Sequence, residues 1–585
     1  MRMRSRNTVA ALGARTRVIA AIALAPLACD EGRTSSPATA DDTMDGSRAG
    51  ASGLAASGAP DAATVQPDAP QCPPTISELP SVGDALQPAE GRPITLDVGL
   101  PTQPRDRFAD LSVGSDYPGT LIRDDSLRQL KLVRDELGFR YIRFHAIFHD
   151  VLGTYREVNG QPVYDWTKLD YLYDELLETG IKPFVELGFT PDAMKSSNLT
   201  IFYWNGNTSH PDPVKWEGLV DAFARHLIDR YGLEEVRSWF FEVWNEPNLD
   251  AFWEGADQAA YFDLYARTAR VLKAVDRELR VGGPSTAGAA WVPELLSFAS
   301  AQQVAVDFVT THAYGVDAGF LDELGQSDTK LSPSPDAIIG DVRRVREQIE
   351  ASSSPGLPLY FTEWSASYTP RDPVHDSYHM ASYILNKLQA SKGLAQGMSY
   401  WAYTDLFEEP GPPSAPFQGG FGLLNPQGIR KPAYFAYKYL NRLGDRELQT
   451  RDGQSIGAFD GGTLQVLAWD YSAPEQSVSN RPFFTMVHPV TDTQPLQIAL
   501  SGLQPGTYEA RTFRTGFERN DAYTAYLRLG LPPQLTPQQV ADLQALTLDE
   551  PEVQTVQIGA GGSGLLTVPM RQYDVVLVEL QACHP

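Results

Sequence analysis

Trp239-Phe-Phe-Glu-Val-Trp-Asn-Glu-Pro-Asn-Leu-Asp250 is the stretch of sequence that decides the fold. Its first half is aromatic and β-branched, which is typical of a buried strand. Pro247 ends that strand, because proline fixes φ and has no backbone N–H to donate. The stretch therefore predicts that Glu246 is a carboxylate at the C-terminal tip of a strand. In a parallel barrel, functional groups lie at such tips.

Strand and helix patterns alternate eight times around this stretch. The predicted strands cover residues 111–115, 141–148, 183–189, 239–246, 281–283, 307–314, 359–364 and 398–403. The predicted helices cover residues 126–137, 169–177, 216–231, 259–279, 292–299, 336–349, 377–388 and 433–443. Eight strand–helix units predict an α/β fold, a (β/α)8 TIM barrel over residues 105–443. A doubly wound open sheet is the alternative, but the chain lacks a Gly-rich dinucleotide-binding turn.

The pattern changes after residue 444, where short β-rich runs are separated by turn residues. The runs cover residues 463–470, 483–487, 496–500, 507–513, 553–558 and 573–580. They predict an accessory β-sandwich over residues 444–585. Residues 537–546 predict a helical insertion in it, with Thr536 as N-cap and Pro537 at the first helical position. The strand-like run 94–98, in the N-terminal segment 76–104, is predicted to join the same sandwich.

The start of the chain predicts export. Arginines precede a short apolar run at residues 18–28, too short for a mature membrane span, so residues 1–29 are predicted to be a signal peptide. Leu27-Ala28-Cys29 resembles a bacterial lipobox, which implies lipidation of Cys29; ordinary cleavage near Ala28 is the alternative. Residues 30–75 lack apolar periodicity and predict a disordered tether. We therefore expect a lipoprotein held on a membrane, periplasmic or at the cell surface, or a secreted protein.

Charge and cysteines narrow the function classes further. The 585 residues include 48 Lys and Arg against 73 Asp and Glu, a net charge of −25. This argues against nucleic-acid binding, which needs a basic surface, and is typical of a solvated acidic surface. Cys29, Cys72 and Cys583 lack the spacing of a metal site. Export permits a disulfide between Cys72 and Cys583, one at each end of the folded part; two free thiols are the alternative.

A second carboxylate lies on predicted strand seven, in Leu359-Tyr-Phe-Thr-Glu-Trp364. Strands four and seven are on opposite sides of a barrel mouth, so Glu363 and Glu246 can face one pocket. A pair about 5–5.5 Å apart is the arrangement of a retaining glycosidase. A structural ion pair is the alternative for either residue alone. No HExxH motif or histidine cluster accompanies them, so we expect no metal and no cofactor.

Four motifs resemble glycoside hydrolase family 39, most closely its β-xylosidase branch; α-L-iduronidase is the other well-known branch. They are Phe241-Glu-Val-Trp-Asn-Glu-Pro-Asn248, Phe361-Thr-Glu-Trp364, Asp372-Pro-Val-His-Asp376 and Tyr400-Trp-Ala-Tyr-Thr-Asp-Leu-Phe-Glu-Glu-Pro-Gly-Pro-Pro413. The resemblance extends from about residue 94 to residue 580.

The resemblance implies roles for individual residues. Glu246 would be the acid/base, Glu363 the nucleophile, and Asn245 the partner of the sugar 2-hydroxyl. Sugar-contacting or pocket-lining roles are implied for His145, Phe202, His312, Tyr314, Tyr368, Trp401, Glu408 and Glu409. Among these, Tyr314 is expected to donate a hydrogen bond to Glu363, and Trp401 to stack on the apolar face of the sugar. Core packing, or a solvated acidic loop for the last two, is the alternative.

Three functions follow from these observations. The first is a retaining exo-β-xylosidase that takes xylo-oligosaccharides as its carbohydrate substrate. The second is a hydrolase on another glycoside, namely an α-L-iduronide, a β-glucoside or an arabinoside. A uronide needs a basic partner, which the motifs lack, and Glu408 and Glu409 would repel it. The third is a non-catalytic glycan-binding lipoprotein, against which both Glu residues argue. The acidic loop 315–334 gives no role, and the sequence indicates no oligomeric state.

Overall fold

The computed structural model describes residues 91–583. The predicted signal peptide, the tether, Cys29 and Cys72 lie outside the described residues. Cys583 is disulfide-bonded. In the described range no helix combines the length and apolarity that crossing a bilayer requires.

The described strands alternate with helices through most of the chain. In chain order they are β1 (Arg92–Asp97), β2 (Gln103–Pro104), β3 (Ser112–Gly114), β4 (Tyr141–Phe144), β5 (Tyr155–Val158), β6 (Gln161–Tyr164), β7 (Lys182–Leu187), β8 (Thr200–Ile201), β9 (Gly206–Asn207), β10 (Phe240–Val243), β11 (Arg280–Thr286), β12 (Phe308–Tyr314), β13 (Val316–Leu321), β14 (Ser327–Leu331), β15 (Leu359–Ser365), β16 (Gly397–Tyr400), β17 (Arg446–Leu448), β18 (Ser455–Phe459), β19 (Thr463–Trp469), β20 (Leu496–Ser501), β21 (Gly506–Thr515), β22 (Glu552–Ile558), β23 (Gly564–Val568) and β24 (Val575–Ala582).

The described α-helices, in the same order, are α1 (Pro118–Leu121), α2 (Asp124–Leu137), α3 (Thr167–Thr179), α4 (Pro213–Tyr231), α5 (Leu233–Arg237), α6 (Gln258–Val275), α7 (Val292–Gln302), α8 (Ile339–Glu350), α9 (His379–Ser391), α10 (Pro432–Arg442), α11 (Asn480–Phe484), α12 (Ala522–Arg528) and α13 (Pro537–Ala545).

Eight parallel strands close into a barrel, which confirms the predicted TIM barrel. Their order is β3-β4-β7-β10-β11-β12-β15-β16. Tyr400 of β16 lies opposite Val113 of β3 and closes the ring. A helix follows each strand and covers its outer face, so the strands are buried on both sides. The register places Glu363 of β15 beside His312 of β12, so side chains predicted from separate motifs meet at one point.

The accessory sandwich consists of a three-stranded sheet, β1-β20-β23, facing a seven-stranded sheet, β2-β17-β18-β19-β24-β21-β22. The N-terminal strand β1 pairs in parallel with β20. Side chains of β19 alternate: Val466 packs in the core between the two sheets, and Leu467 packs in the core that extends from the barrel. Successive strand residues point to opposite faces, so the centre of the larger sheet, at β19 and β24, is buried on both sides.

Two sequence predictions in this half have different outcomes. The capping box of α13, with Thr536 as N-cap and Gln539 at the third position, confirms the predicted helical insertion. The predicted strand 483–487 is wrong, because residues 480–484 form α11. Pro482 fits the first turn of a helix, where its missing N–H is not needed. Phe484 packs in the core that extends from the barrel and not between the two sheets of the sandwich. Burying its side chain therefore does not require a strand of the sandwich at this position.

The acidic loop 315–334 is a β-hairpin, β13–β14, that continues from barrel strand β12. The short helix α11 of the sandwich holds it. Asn480 accepts a hydrogen bond from the backbone N–H of Leu331, and Ser479 donates one to the carbonyl of Leu321. Arg481 forms an ion pair with Asp322 at 2.5 Å. The hairpin beside the barrel mouth therefore depends on the accessory sandwich for its position.

A buried ion cluster anchors the loop after β16. Lys431 Nζ lies 2.6 Å from Asp376 Oδ1 and 2.6 Å from Asp405 Oδ2, and all three side chains are fully buried. Lys431 also donates to the carbonyl of Gly420. Asp405 precedes the loop and Lys431 follows it, so the two ends of the loop are joined by one cation.

We predict that Lys431→Met lowers the free energy of unfolding by about 3–5 kcal/mol, because it leaves two buried carboxylates without their cation. Urea unfolding at neutral pH measures the change. Lys131→Met is the matched control, since Lys131 pairs with Asp135 on the exposed surface, where such pairs contribute little. A loss no larger than that of the control would contradict the assignment.

Candidate active site

Arg143 is the centre of the charged network inside the barrel. Its position in β4 directs the guanidinium into the interior, where it is fully buried. Nε donates to Glu242 at 2.6 Å, Nη1 to Glu363 at 2.7 Å, and Nη2 lies 3.0 Å from Glu186. Burial alone would lower the pKa of Arg143, but these three carboxylates outweigh it and raise the pKa. The guanidinium is therefore permanently charged and joins strands β4, β7, β10 and β15.

Glu363 is held by two donors. Arg143 donates to Oε1, and Tyr314 Oη donates to Oε2 at 2.8 Å, so the hydrogen bond expected from the sequence is present. One of the donors is a cation. Hydrogen bonds of this kind favour the charged form of a carboxylate. Two hydrogen bonds therefore fix the orientation of the Glu363 carboxylate.

Glu246 has the opposite environment. It lies three residues beyond the end of β10, so the predicted strand 239–246 is too long at its C-terminal end. Trp244 and Glu246 have φ of 70° and 41°, which ends the extended chain. The buried indole of Trp244, which donates to the carbonyl of Phe252 at 2.6 Å, holds this unfavourable backbone in place. Burial and then the charge of Glu363 raise the pKa of Glu246 well above its usual range.

His312 lies between the two carboxylates. Its Nδ1 is 2.8 Å from Glu246 Oε1 and 3.5 Å from Glu363 Oε2. Burial, with the charges of Arg143 and His145, lowers the pKa of His312 well below its usual range. A neutral imidazole therefore lies between the two carboxyl groups without adding charge.

His145 is the second cation of the site. It follows β4, which ends at Phe144 and not at the predicted residue 148, because the Glu186 side chain accepts from the N–H of Ala146 where a strand would continue. Its Nδ1 is 2.7 Å from Glu186, and its Nε2 is 3.3 Å from Glu409. Burial lowers the pKa of His145, but Glu186 and Glu409 outweigh burial and raise the pKa to about 10. Burial raises the pKa of Glu409 to about 7, against the opposing effect of His145.

Three aromatic side chains predicted to line the pocket lie around this centre. Trp401 is buried, with its ring centroid 4.7 Å from that of His145 and 5.8 Å from the guanidinium of Arg143. Phe202 stacks on His145 at 5.8 Å, and Tyr368 meets Tyr314 edge-on at 6.2 Å. Apolar faces near the carboxylates are what a sugar ring requires for stacking.

Asn245 and Glu408 are each fixed by an arginine. Asn245 Oδ1 accepts from Arg143 Nη2 at 2.7 Å, so Nδ2 is the donor end of this amide. Glu408 Oε1 accepts from Arg123 at 2.9 Å, and its backbone N–H donates to Asp116 Oδ2 at 2.8 Å. The described contacts bring Glu409, but not the carboxylate of Glu408, to the central cluster.

Glu246, His312 and Glu363 each offer a ligand atom, and these atoms lie within 4.8 Å of one another. This spacing would admit a metal ion. However, Glu363 already accepts from Arg143 and Tyr314, and the raised pKa of Glu246 disfavours the ionised form that a metal ligand needs. The donor set therefore suits proton transfer better than metal binding, and the sequence expectation of no metal stays a prediction.

The structure adds residues that the sequence reasoning did not select. They are Arg143, Glu186, Glu242 and Ser285, all inside the barrel or at its mouth. For the charged residues in this set the sequence did contain an indication, because a charged residue within an apolar barrel strand is rarely buried without a partner. The partners themselves were not readable, because Arg143 and Glu363 are 220 residues apart.

Comparisons with known proteins agree with this geometry. The model of glycosyl hydrolases family 39 matches residues 94–562. A β-xylosidase of Geobacillus stearothermophilus is 42% identical over 386 residues, 64% of this chain and 76% of that protein. A β-xylosidase of Caldicellulosiruptor saccharolyticus is 37% identical over 466 residues, 77% of this chain and 90% of that protein.

A solved structure is also similar. It is a monomeric β-xylosidase from Caulobacter crescentus, 64% identical, with a TM-score of 0.83 over 84% of this chain and 100% of the other. The family match covers the barrel and most of the sandwich, including both carboxylates and their partners. This chain therefore belongs to family 39 of the glycosyl hydrolases.

Proposed function

We propose that this protein is a retaining, exo-acting β-xylosidase that releases xylose from the ends of xylo-oligosaccharides. One observation carries the mechanism: Glu246 and Glu363 present carboxylate oxygens within 4.8 Å of each other, and while Glu363 accepts from a cation and a phenol, the pKa of Glu246 is raised by burial and by the charge of Glu363. That separation suits the retaining class, at about 5–5.5 Å, and not the inverting class, at about 6.5–9.5 Å.

In the first step, a carboxylate oxygen of Glu363 forms a bond to the anomeric carbon. The glycosidic C–O bond breaks, and Glu246 gives its proton to the leaving oxygen. In the second step, Glu246 takes a proton from water, whose oxygen attacks the same carbon and releases Glu363 as a carboxylate. Arg143 and Tyr314 stabilise Glu363 when its charge returns.

The groups around the carboxylates would bind the sugar. Asn245 Nδ2 donates to the 2-hydroxyl, Trp401 stacks on the ring, and Glu409 accepts a hydroxyl proton beside His145. The β-xylosidase relatives support xylose as the glycone. An α-L-iduronide is less suitable, because the cations Arg143 and His145 are already paired with carboxylates.

We predict that Glu363→Ala lowers kcat by more than about 10⁴-fold, because no covalent intermediate can form. Sodium azide should restore turnover of an activated aryl xyloside and give the α-configured azide product. Steady-state kinetics and NMR of the product measure both effects. Turnover close to the unmutated level would overturn the assignment.

A panel of aryl glycosides on the unmutated protein tests the substrate. The β-D-xyloside should have a higher kcat/KM than the β-glucoside, the arabinoside and the α-L-iduronide, and EDTA should not change the rate. The reverse order for the uronide would replace the proposed substrate. No turnover on any member would favour a glycan-binding role.

We predict that Glu246→Gln stabilises the protein as pH rises. The folded-state pKa of Glu246 lies above the unfolded value of about 4.3, so the folded protein keeps a proton that the unfolded chain loses, and stability falls above that value. The Gln variant has no such loss. Urea unfolding from pH 4 to 8 should show its advantage growing with pH, whereas the exposed Glu178→Gln should show a constant difference. A flat difference for Glu246→Gln would contradict the raised pKa.

We further propose export and membrane anchoring through lipid on Cys29. The arginine-rich start, the apolar run 18–28 and Leu27-Ala28-Cys29 support this proposal. Cys29→Ser should move the protein from the membrane fraction to the soluble fraction without changing kcat/KM. An unmutated protein found wholly in the soluble fraction would exclude the anchor and leave the glycosidase proposal unaffected.

A further inference from the structure

The loop after β16 carries Glu408 and Glu409 and continues as Pro410-Gly-Pro-Pro413. Two other loops hold the acidic pair: Asp116 accepts from the N–H of Glu408, and the N–H of Tyr203 donates to the carbonyl of Glu409 at 2.8 Å. The residues that follow make one backbone hydrogen bond to this pair, from the N–H of Gly411 to the carbonyl of Glu408 at 3.0 Å. Proline supplies no N–H, so three of these four positions cannot donate a backbone hydrogen bond.

Arg371 satisfies the carbonyls of this stretch. Its Nη2 donates to the carbonyls of Pro410, Gly411 and Pro412 at 3.1, 3.3 and 3.1 Å. Arg371 comes from the loop after β15, the strand that carries Glu363. One guanidinium nitrogen therefore fixes the path of the chain directly after Glu409.

The backbone that carries Arg371 is anchored by the next residue. The next residue, Asp372, is buried, and its Oδ2 accepts from Thr329 of the β13–β14 hairpin at 3.1 Å and from Asn480 of α11 at 2.8 Å. Its Oδ1 accepts from the N–H of Val374 at 3.1 Å. The hairpin and the sandwich therefore both fix the backbone from which the Arg371 side chain extends.

The rest of the Asp372–Asp376 motif holds the far end of the same loop. His375 Nδ1 lies 2.9 Å from the carbonyl of Gly419, and Asp376 Oδ2 accepts from the N–H of Gly419 at 2.6 Å. Residues 371–376 therefore contact the loop at both ends. Among the described residues, no hydrogen bond or ion pair joins the motif to Glu246 or Glu363, so its contacts to the site are those that position this loop.

We propose that Arg371 is a positioning residue that keeps the carboxylate of Glu409 beside His145, where it accepts a hydroxyl proton of the terminal sugar. The inference rests on the proposed function, because it takes Glu409 as a sugar-binding group. Without Arg371, the carbonyls of Pro410, Gly411 and Pro412 lose their side-chain donor. The bonds from Gly411 to Glu408 and from Tyr203 to Glu409 remain, but they fix the distance between Glu409 and His145 less closely.

A double-mutant cycle between Arg371 and Glu409 tests this inference. Arg371→Ala should lower kcat/KM on an aryl β-xyloside by about 10–100-fold, as for a lost hydrogen bond to a charged group. Glu409→Ala should lower it at least as much. The double variant should lose no more than Glu409→Ala alone, because Arg371 acts through Glu409. Additive losses would overturn the proposal.

Arg105→Ala is the matched control. Arg105 also donates to backbone carbonyls, those of Gly444 and Leu443, but at the opposite end of the barrel. It should change kcat/KM by less than about twofold, and its loss should add to that of Glu409→Ala. If Arg371→Ala fails to fold, Arg371→Lys replaces it, with a smaller loss that must also vanish in the Glu409→Ala background.

The cycle separates this inference from the proposed function. Turnover of the xyloside by the unmutated protein tests the function, whereas the coupling between Arg371 and Glu409 tests the inference. If another glycoside is the substrate, the cycle is measured on that glycoside with the same expectation.

Discussion

The ion network of Arg143 is the constraint on which the site depends. A buried guanidinium is tolerated only when carboxylates surround it, and a buried carboxylate only when a donor meets it. Strands β4, β7, β10 and β15 each contribute one member, so barrel closure and charge neutralisation depend on each other. The same contact holds the charged form of Glu363. The interaction that fixes Glu363 in the site is therefore also one that joins the strands of the barrel.

Burial and neighbouring charges together determine the protonation states of the groups around Arg143. Burial, and then the neighbouring cations Arg143 and His145, lower the pKa of His312, so its imidazole stays neutral. Glu363 takes the hydrogen bonds to Arg143 and Tyr314, and its charge helps to keep a proton on Glu246. Two chemically identical side chains acquire different roles from their neighbours alone, which is the general means by which paired carboxylates divide acid and nucleophile.

The sequence was sufficient to predict the barrel and to predict that Glu246 and Glu363 meet in one pocket. Eight apolar runs alternating with amphipathic ones leave few other folds, and Pro247 indicates the end of a strand beside Glu246. The network around Arg143 could not be predicted, because its members meet only after the barrel closes. The helix α11 was missed for a related reason. The apolar Phe484 favours a strand in the sequence, and its packing in the core that extends from the barrel is visible only in the folded structure. The role of residues 371–376 likewise appears only when loops distant in sequence lie together.

The seven-stranded sheet limits how the barrel and the sandwich could be separated, because it packs against both. Leu467 and Leu577 on one face pack with the barrel, and Val466 and Val578 on the other pack with the smaller sheet. Cutting the gene at residue 444 would leave each half with an uncovered apolar surface, which promotes aggregation. The barrel is therefore not an interchangeable module. Recombination that swaps catalytic domains between enzymes would have to carry the sandwich along, and the two parts are expected to have been inherited as one unit.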